Sequence, residues 1–299
     1  MRRLLSLFGL ALIAVFVFFP VKSNASGKNL CRTLEAEKLY KYNLDQKGKK
    51  ESIKVSVSKD ERKNGYTITY DIKTMVTVNG RKIYSKSLKG QDTDNNQVKV
   101  MVIDTDNKDK QMELLIIEGD ISEGTTDGGF WTANMEHIYY YRYVGGKAKR
   151  VQDLAPLFRK SFAGIYSLHG MEDGSYLTTN GKNEIYARLC IKIENFDYVH
   201  IKMKLNLKKG KFVKTSAKFY NLIDIEESYF RPKKNITVYT KPGGTKKAFV
   251  VKKKESIYLC GLYTANGKKM YLKVRNNAGK TGYIDPKKTP TYLDGTNHV

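Results

Sequence analysis

The chain is built from short runs in which apolar and polar residues alternate, with glycine-containing dipeptides between the runs. Ile53, Val55 and Val57 alternate with Lys54, Ser56 and Ser58, and Ile68, Tyr70 and Ile72 with Thr67, Thr69 and Asp71. A period of two places the apolar residues on one face of a strand and is incompatible with an amphipathic helix. Met75-Val76-Thr77-Val78, Asn79-Gly80 and Arg81-Lys82-Ile83-Tyr84 spell a hairpin, because Asn-Gly supplies the two positive φ angles of a type I′ turn. Gly145-Gly146 after Tyr139-Tyr140-Tyr141-Arg142-Tyr143 repeats the device, as does Lys209-Gly210 between the alternating run 201–207 and Lys211-Phe212-Val213. Leu34 to Tyr42 reads as a short helix or a linker, and Val151 to Phe162 as a second such stretch. The expected fold class is all-β: a propeller-like or sandwich N-terminal domain of hairpin units, then a small barrel.

The first 25 residues are of a different kind. Met1-Arg2-Arg3 precedes an apolar run from Leu4 to Phe19 broken only by Ser6 and Gly9, and polar residues follow up to Ala25. Sixteen residues make a helix of about 24 Å, short of the roughly 30 Å of a hydrocarbon core. The small residue Ala25 suits signal peptidase, so residues 1–25 are expected to be a secretory signal, with a retained anchor as the alternative. The mature chain is then secreted, extracellular or wall-associated, and meets membrane only through that segment. Cys31 lies twelve residues past the run, without small residues before it, and does not read as a lipid attachment point.

Three Cys and four His are too few for a disulfide scaffold or a multi-cysteine metal centre. In an oxidising compartment Cys31 and Cys190 could join, leaving Cys260 free. Cys190 and Cys260 sit inside strand-like runs, where a small buried apolar group is the ordinary role. His137, His169 and His200 show no zinc-binding spacing, and there is no Gly-x-Ser-x-Gly elbow or phosphate loop. No catalytic residue is assigned, and the chain is expected not to be an enzyme. Trp131 follows Gly128-Gly129-Phe130 in an acidic stretch, where it either stacks on a sugar or packs in the core.

Charge divides the chain. Its 54 Lys and Arg exceed its 30 Asp and Glu by 24, and loss of residues 1–25 would remove Arg2, Arg3 and Lys22. Residues 231–288 hold 16 cations against Glu255 and Asp285, a net +14, whereas residues 92–136 hold 11 acids against three lysines, a net −8. The shift beside Arg231-Pro232 sets the expected domains: 26–229 β-rich, 230–288 a basic unit, 289–299 a tail.

A weak repeat runs through the first of these. Asn43-Leu44-Asp45-Gln46-Lys47-Gly48-Lys49-Lys50-Glu51 is echoed 61 residues later by Asp104-Thr105-Asp106-Asn107-Lys108-Asp109-Lys110-Gln111-Met112-Glu113, and more faintly by Asn180-Gly181-Lys182-Asn183-Glu184. Each copy precedes a strand-like run. The segments resemble the acidic loops of FG-GAP and VCBS-type repeats, found in extracellular bacterial proteins and in the integrin β-propeller. That resemblance implies a calcium loop, because a hard cation takes six to eight oxygen ligands, and it assigns the ligands to Asp104, Asp106, Asp109 and Glu113. In the first copy Lys47 stands where the family has Asp. Three units of about 60 residues are fewer than a closed propeller usually needs.

The basic unit has strand-like runs at 236–239, 248–251, 256–260, 270–275 and 280–284. Val238-Tyr239-Thr240-Lys241-Pro242, Tyr271-Leu272-Lys273-Val274 and Gly279-Lys280-Thr281-Gly282-Tyr283-Ile284 resemble the bacterial Src-homology-3-like domain, with Tyr283 where the family usually has Trp. The resemblance implies a secreted module that binds the bacterial cell wall, peptidoglycan or teichoic acid. Lys241, Lys252, Lys253, Lys254, Tyr271, Lys273 and Tyr283 are its expected contact residues. Charge agrees: cations crowded on a small unit form a surface for an anionic polymer. Behind an export signal that polymer is expected to be wall rather than nucleic acid. The alternatives are a wall-degrading or carbohydrate-active enzyme using Asp104, Asp109 or Glu113 as acid and base, and an extracellular sensor or adhesion module.

Overall fold

The computed structural model of the chain describes residues 31–45, 47–92, 97–109, 111–123, 131–162, 165–169, 177–193, 196, 198–223, 229–265, 269–289 and 291–292. The expected signal segment lies outside them. The described residues are almost entirely antiparallel β-structure, as the alternation requires.

Strand β1 (Cys31–Leu34) is followed by a four-stranded meander of β2 (Leu39–Tyr42), β3 (Glu51–Asn64), β4 (Thr67–Val78) and β5 (Arg81–Gln91). A second meander comprises β6 (Val98–Ile103), β7 (Glu113–Glu123), β8 (Trp131–Val144) and β9 (Lys147–Asp153), with β1 added on the outer side of β6. The short helix α1 (Ala155–Arg159) leads to a third group: β10 (Ile165–His169), β11 (Leu177–Thr179), β12 (Glu184–Lys192), β13 (Tyr198–Lys208) and β14 (Lys211–Lys214). The C-terminal strands are β15 (Phe219–Ile223), β16 (Tyr229–Pro232), β17 (Ile236–Tyr239), β18 (Lys247–Val251), β19 (Ile257–Ala265), β20 (Lys269–Asn276), β21 (Thr281–Ile284) and β22 (Thr291–Tyr292).

Three hairpins carry the backbone their dipeptides demand. Asn79 and Gly80 have φ of 50° and 74°, Gly145 and Gly146 60° and 75°, and Lys209 and Gly210 50° and 73°. Each pair is the two-residue loop of a type I′ turn. The segment 34–42 is neither helix nor linker: Leu34 and Tyr40 are buried apolar residues on two strands, and a turn with Glu37 at φ 61° separates them. Their pairing partners, β6 for β1 and β3 for β2, supply what local periodicity does not show. In 151–162 strand β9 runs to Asp153, and the helix beyond it has only five residues, with a proline in its first turn.

The first and second meanders pack face to face through Ile53, Val55, Val76 and Val78 on one side and Val100, Val102, Leu114 and Ile116 on the other. Met101, Ile103, Leu115 and Ile117 point the opposite way, into a core shared with α1, the third group and the C-terminal strands. β6 and β7 are therefore buried on both faces, which is why Val-Met-Val-Ile and Leu-Leu-Ile-Ile read as unbroken apolar runs rather than alternations. A polar seam closes the first contact: Tyr84 donates to Glu118 Oε1 at 2.6 Å and Lys86 Nζ reaches Glu118 Oε2 at 3.2 Å.

In the C-terminal unit the strand order is β18-β17-β21-β20-β19, and β19 continues onto β15 and β16. The expected small barrel is thus an open sheet among the described residues, since β18 pairs only with β17. β15 also pairs with β13, through His200 opposite Ile223 and Ile201 opposite Leu222, so hydrogen bonding runs from the third group into the last sheet. None of the three cysteines is joined in a disulfide, so the expected Cys31–Cys190 bond is not formed. Cys31 pairs with Ile103 in β1 and Cys190 lies between Ser167 and His200 in β12, each fixed by its own ladder.

Candidate functional site

The three repeated loops stack on one another. Met112 N–H donates to Asn43 O at 2.8 Å and Gln111 Nε2 to Leu44 O at 2.9 Å, joining the first loop to the second. Asn107 N–H donates to Gly181 O at 2.9 Å and Asn183 N–H to Thr105 O at 2.6 Å, joining the second to the third. The terminal glutamate of each loop binds back across its own turn. Glu51 Oε2 accepts from Leu44 N–H at 2.8 Å, Glu113 Oε2 from Thr105 N–H and Oγ1 at 3.2 and 2.8 Å, and Glu184 Oε2 from Asn180 Nδ2 at 2.6 Å.

These bonds use the oxygens that the calcium reading assigns to a cation. Asp106 Oδ1 accepts from Lys108 N–H at 3.2 Å and its Oδ2 from Asn183 Nδ2 at 3.1 Å, while Asp109 Oδ1 accepts from Gln111 N–H at 2.9 Å. Asp104 opens the loop, directly after β6. Among the described residues no three of His, Cys, Asp and Glu gather where they could hold one ion. Burial raises the Glu113 carboxyl to about 7 and nearby Asp109 adds to the rise, while the Thr105 hydrogen bonds and the Arg142 charge work against it. At 4% exposure, that carboxyl lies beneath its own loop.

A different surface gathers the aromatic and basic residues. Strands β15 to β21 contain no Asp or Glu. Leu262, Leu272, Val274, Val238 and Ile284 face the core, so the alternate residues face out. Tyr239 pairs with Tyr283, and Tyr283 with Lys273. The Tyr263 ring lies 6.3 Å from Tyr271 and 6.4 Å from Tyr283. Lys273 Nζ stands 5.3 Å from the centre of the Phe219 ring, and that ring covers Gly261. Further along, the Arg275 guanidinium lies 5.0 Å over Tyr258, and Arg231 5.6 Å over Tyr229, whose ring is 6.2 Å from Tyr258. The result is a partly exposed sheet face on which rings and cations alternate.

Of the residues expected to meet the wall, Tyr271, Lys273 and Tyr283 lie on this face. Lys241 belongs to the adjoining turn, whose Gly243 packs on Tyr271: a Cβ there would stand 2.8 Å from Tyr271 Oη. Lys252, Lys253 and Lys254 form a separate exposed turn at the other end of β17, tied by Lys253 N–H to Asn235 Oδ1 at 2.8 Å and by Lys254 N–H to Pro232 O at 3.1 Å. Sequence reasoning missed Phe219, Tyr229 and Tyr258. The first two lie outside the expected 230–288 unit, and the third is five residues from Tyr263, which in a regular strand would put it on the opposite face. A bulge between Leu259 and Gly261 restores them to one side.

His137 also has a partner that sequence reasoning missed. Its Nδ1 lies 2.6 Å from Asp153 Oδ2, and Asp153 Oδ1 accepts from Ile138 and Ala155 N–H at 3.0 and 3.1 Å. Its ring stacks 5.0 Å from Tyr139, in a shallow groove with Arg150 and Gln152. Counting back from the Gly145-Gly146 turn brings these strands together, so the signal was present. Trp131 begins β8, and its side chain, like the structure of Gly128 to Phe130, lies outside the described residues.

Comparison with known protein families, curated proteins and solved structures gives no match.

Proposed function

We propose that this chain is a secreted, non-enzymatic bacterial surface protein that binds anionic cell-wall polymer, peptidoglycan or its teichoic acid, through the outer face of the C-terminal sheet. One observation carries the reading: seven successive strands without an acidic residue present a row of rings and cations outward. Such a face repels cations, attracts polyanions and gains entropy from the counterions they release. The net +14 of residues 231–288 extends the same field, and the apolar leader with its small terminal residue supports export. The stacked N-terminal sheets are then the passenger that this surface holds at the wall.

Co-sedimentation of the mature chain with purified walls tests it. Retention at low salt, release at high salt and loss after extraction of the anionic polymer are expected. Equal recovery from a wall-free control would count against the proposal.

A further inference from the structure

Resting on that reading, we infer that the ligand of the outer face is a glycan carrying negative charge, recognised by its sugar rings as well as by its charge.

A surface built only for charge needs no more than exposed lysines, and the turn Lys252–Lys254 supplies those. The sheet face is built differently. Three of its cations are held over aromatic rings at 5.0 to 5.6 Å. This fixes the position of each charge relative to a flat apolar surface. The rings themselves are placed as a platform, with Tyr263 within 6.4 Å of both Tyr271 and Tyr283 across three neighbouring strands. That platform spans about 10 Å across the sheet. Phe219 and Tyr229, contributed from outside the basic unit, lengthen it. Partly exposed rings on a sheet face leave apolar area in water, which a ligand with an apolar ring face removes and a bare polyphosphate does not. Rings and cations alternating across neighbouring strands therefore fit a chain whose sugar rings and anionic groups also alternate.

Binding of the full mature chain to dextran sulfate, neutral dextran, polyphosphate and oligo-deoxythymidylate separates the cases. At matched charge, dextran sulfate is expected to bind about tenfold more tightly than polyphosphate, the factor set by one stacking contact. Tyr271→Ala is expected to lose about that factor toward dextran sulfate and to leave polyphosphate within about twofold. Tyr271→Phe, which keeps the ring, should bind dextran sulfate like the parent and so separates loss of stacking from loss of fold. Equal affinity for the two polyanions, an equal loss toward both in Tyr271→Ala, or preference for the oligonucleotide would overturn the inference while leaving anionic binding in place. Binding to none of the charged polymers would overturn the underlying reading and this inference with it.

Discussion

The ring of Phe219 packs against Gly261 through its Cζ and Cε2, so that a Cβ at position 261 would stand 2.7 Å from Cε2 and 3.1 Å from Tyr220 O. The glycine lets β15 bring an aromatic ring onto β19, where Lys273 approaches it. Gly261→Ala is therefore expected to cost about 1 to 3 kcal/mol, the usual range for overpacking. Chemical denaturation checks this, and an unchanged midpoint would show that the ring moves aside freely.

Asn183 ties the second and third loops together with φ of 60°, donating from its backbone to Thr105 and from its side chain to Asp106. Asn183→Gly keeps the backbone freedom and loses the side-chain bond, worth about 1 kcal/mol. Asn183→Ala loses the same bond and also the polar side chain that lets asparagine tolerate the left-handed region, so relative to glycine it carries a strain of about 1 kcal/mol. Alanine should thus be the less stable of the two variants in denaturant melts.

The raised carboxyl of Glu113 gives stability a pH dependence of definite sign. Its proton is held more tightly in the folded chain than in the unfolded one, where the ordinary value is 4.5. The favourable contribution is complete below that value and is lost as pH rises toward about 7. The loss is on the order of 3 kcal/mol. Glu113→Gln should remove this slope between those pH values, as read from urea midpoints at several pH values.

Calcium should leave the molecule unaffected. The oxygens of Asp106, Asp109 and Glu113 already accept from Lys108, Gln111, Asn183 and Thr105. Thermal melts in calcium and in chelator are expected to coincide, and a rise in midpoint with calcium would mean that the loop opens to take the ion.

These features differ in how far the sequence announced them. The hairpins at Asn79-Gly80 and Gly145-Gly146 were legible because the turn type is a property of two residues. The 61-residue echo marked loops that do occupy equivalent places between strands, but residue types alone did not show that their carboxylates would turn onto neighbouring amides. β1 was illegible because its partner β6 is far along the chain, and no local pattern records a distant ladder. Tyr271, Lys273 and Tyr283 were singled out by the Src-homology-3-like motifs that contain them, whereas Tyr258 was hidden by the one-residue bulge at Cys260, which shifts the period that pattern-reading relies on.

The most direct test of the central claim is the salt dependence of wall binding by the intact chain and by a Lys273→Gln/Arg275→Gln variant. Affinity is expected to fall linearly in log–log form with salt, and the variant to show a shallower slope by about 1.6, roughly 0.8 for each charge removed, as for linear polyanions. Identical slopes and affinities for the two proteins would place the wall-binding surface elsewhere and contradict the account.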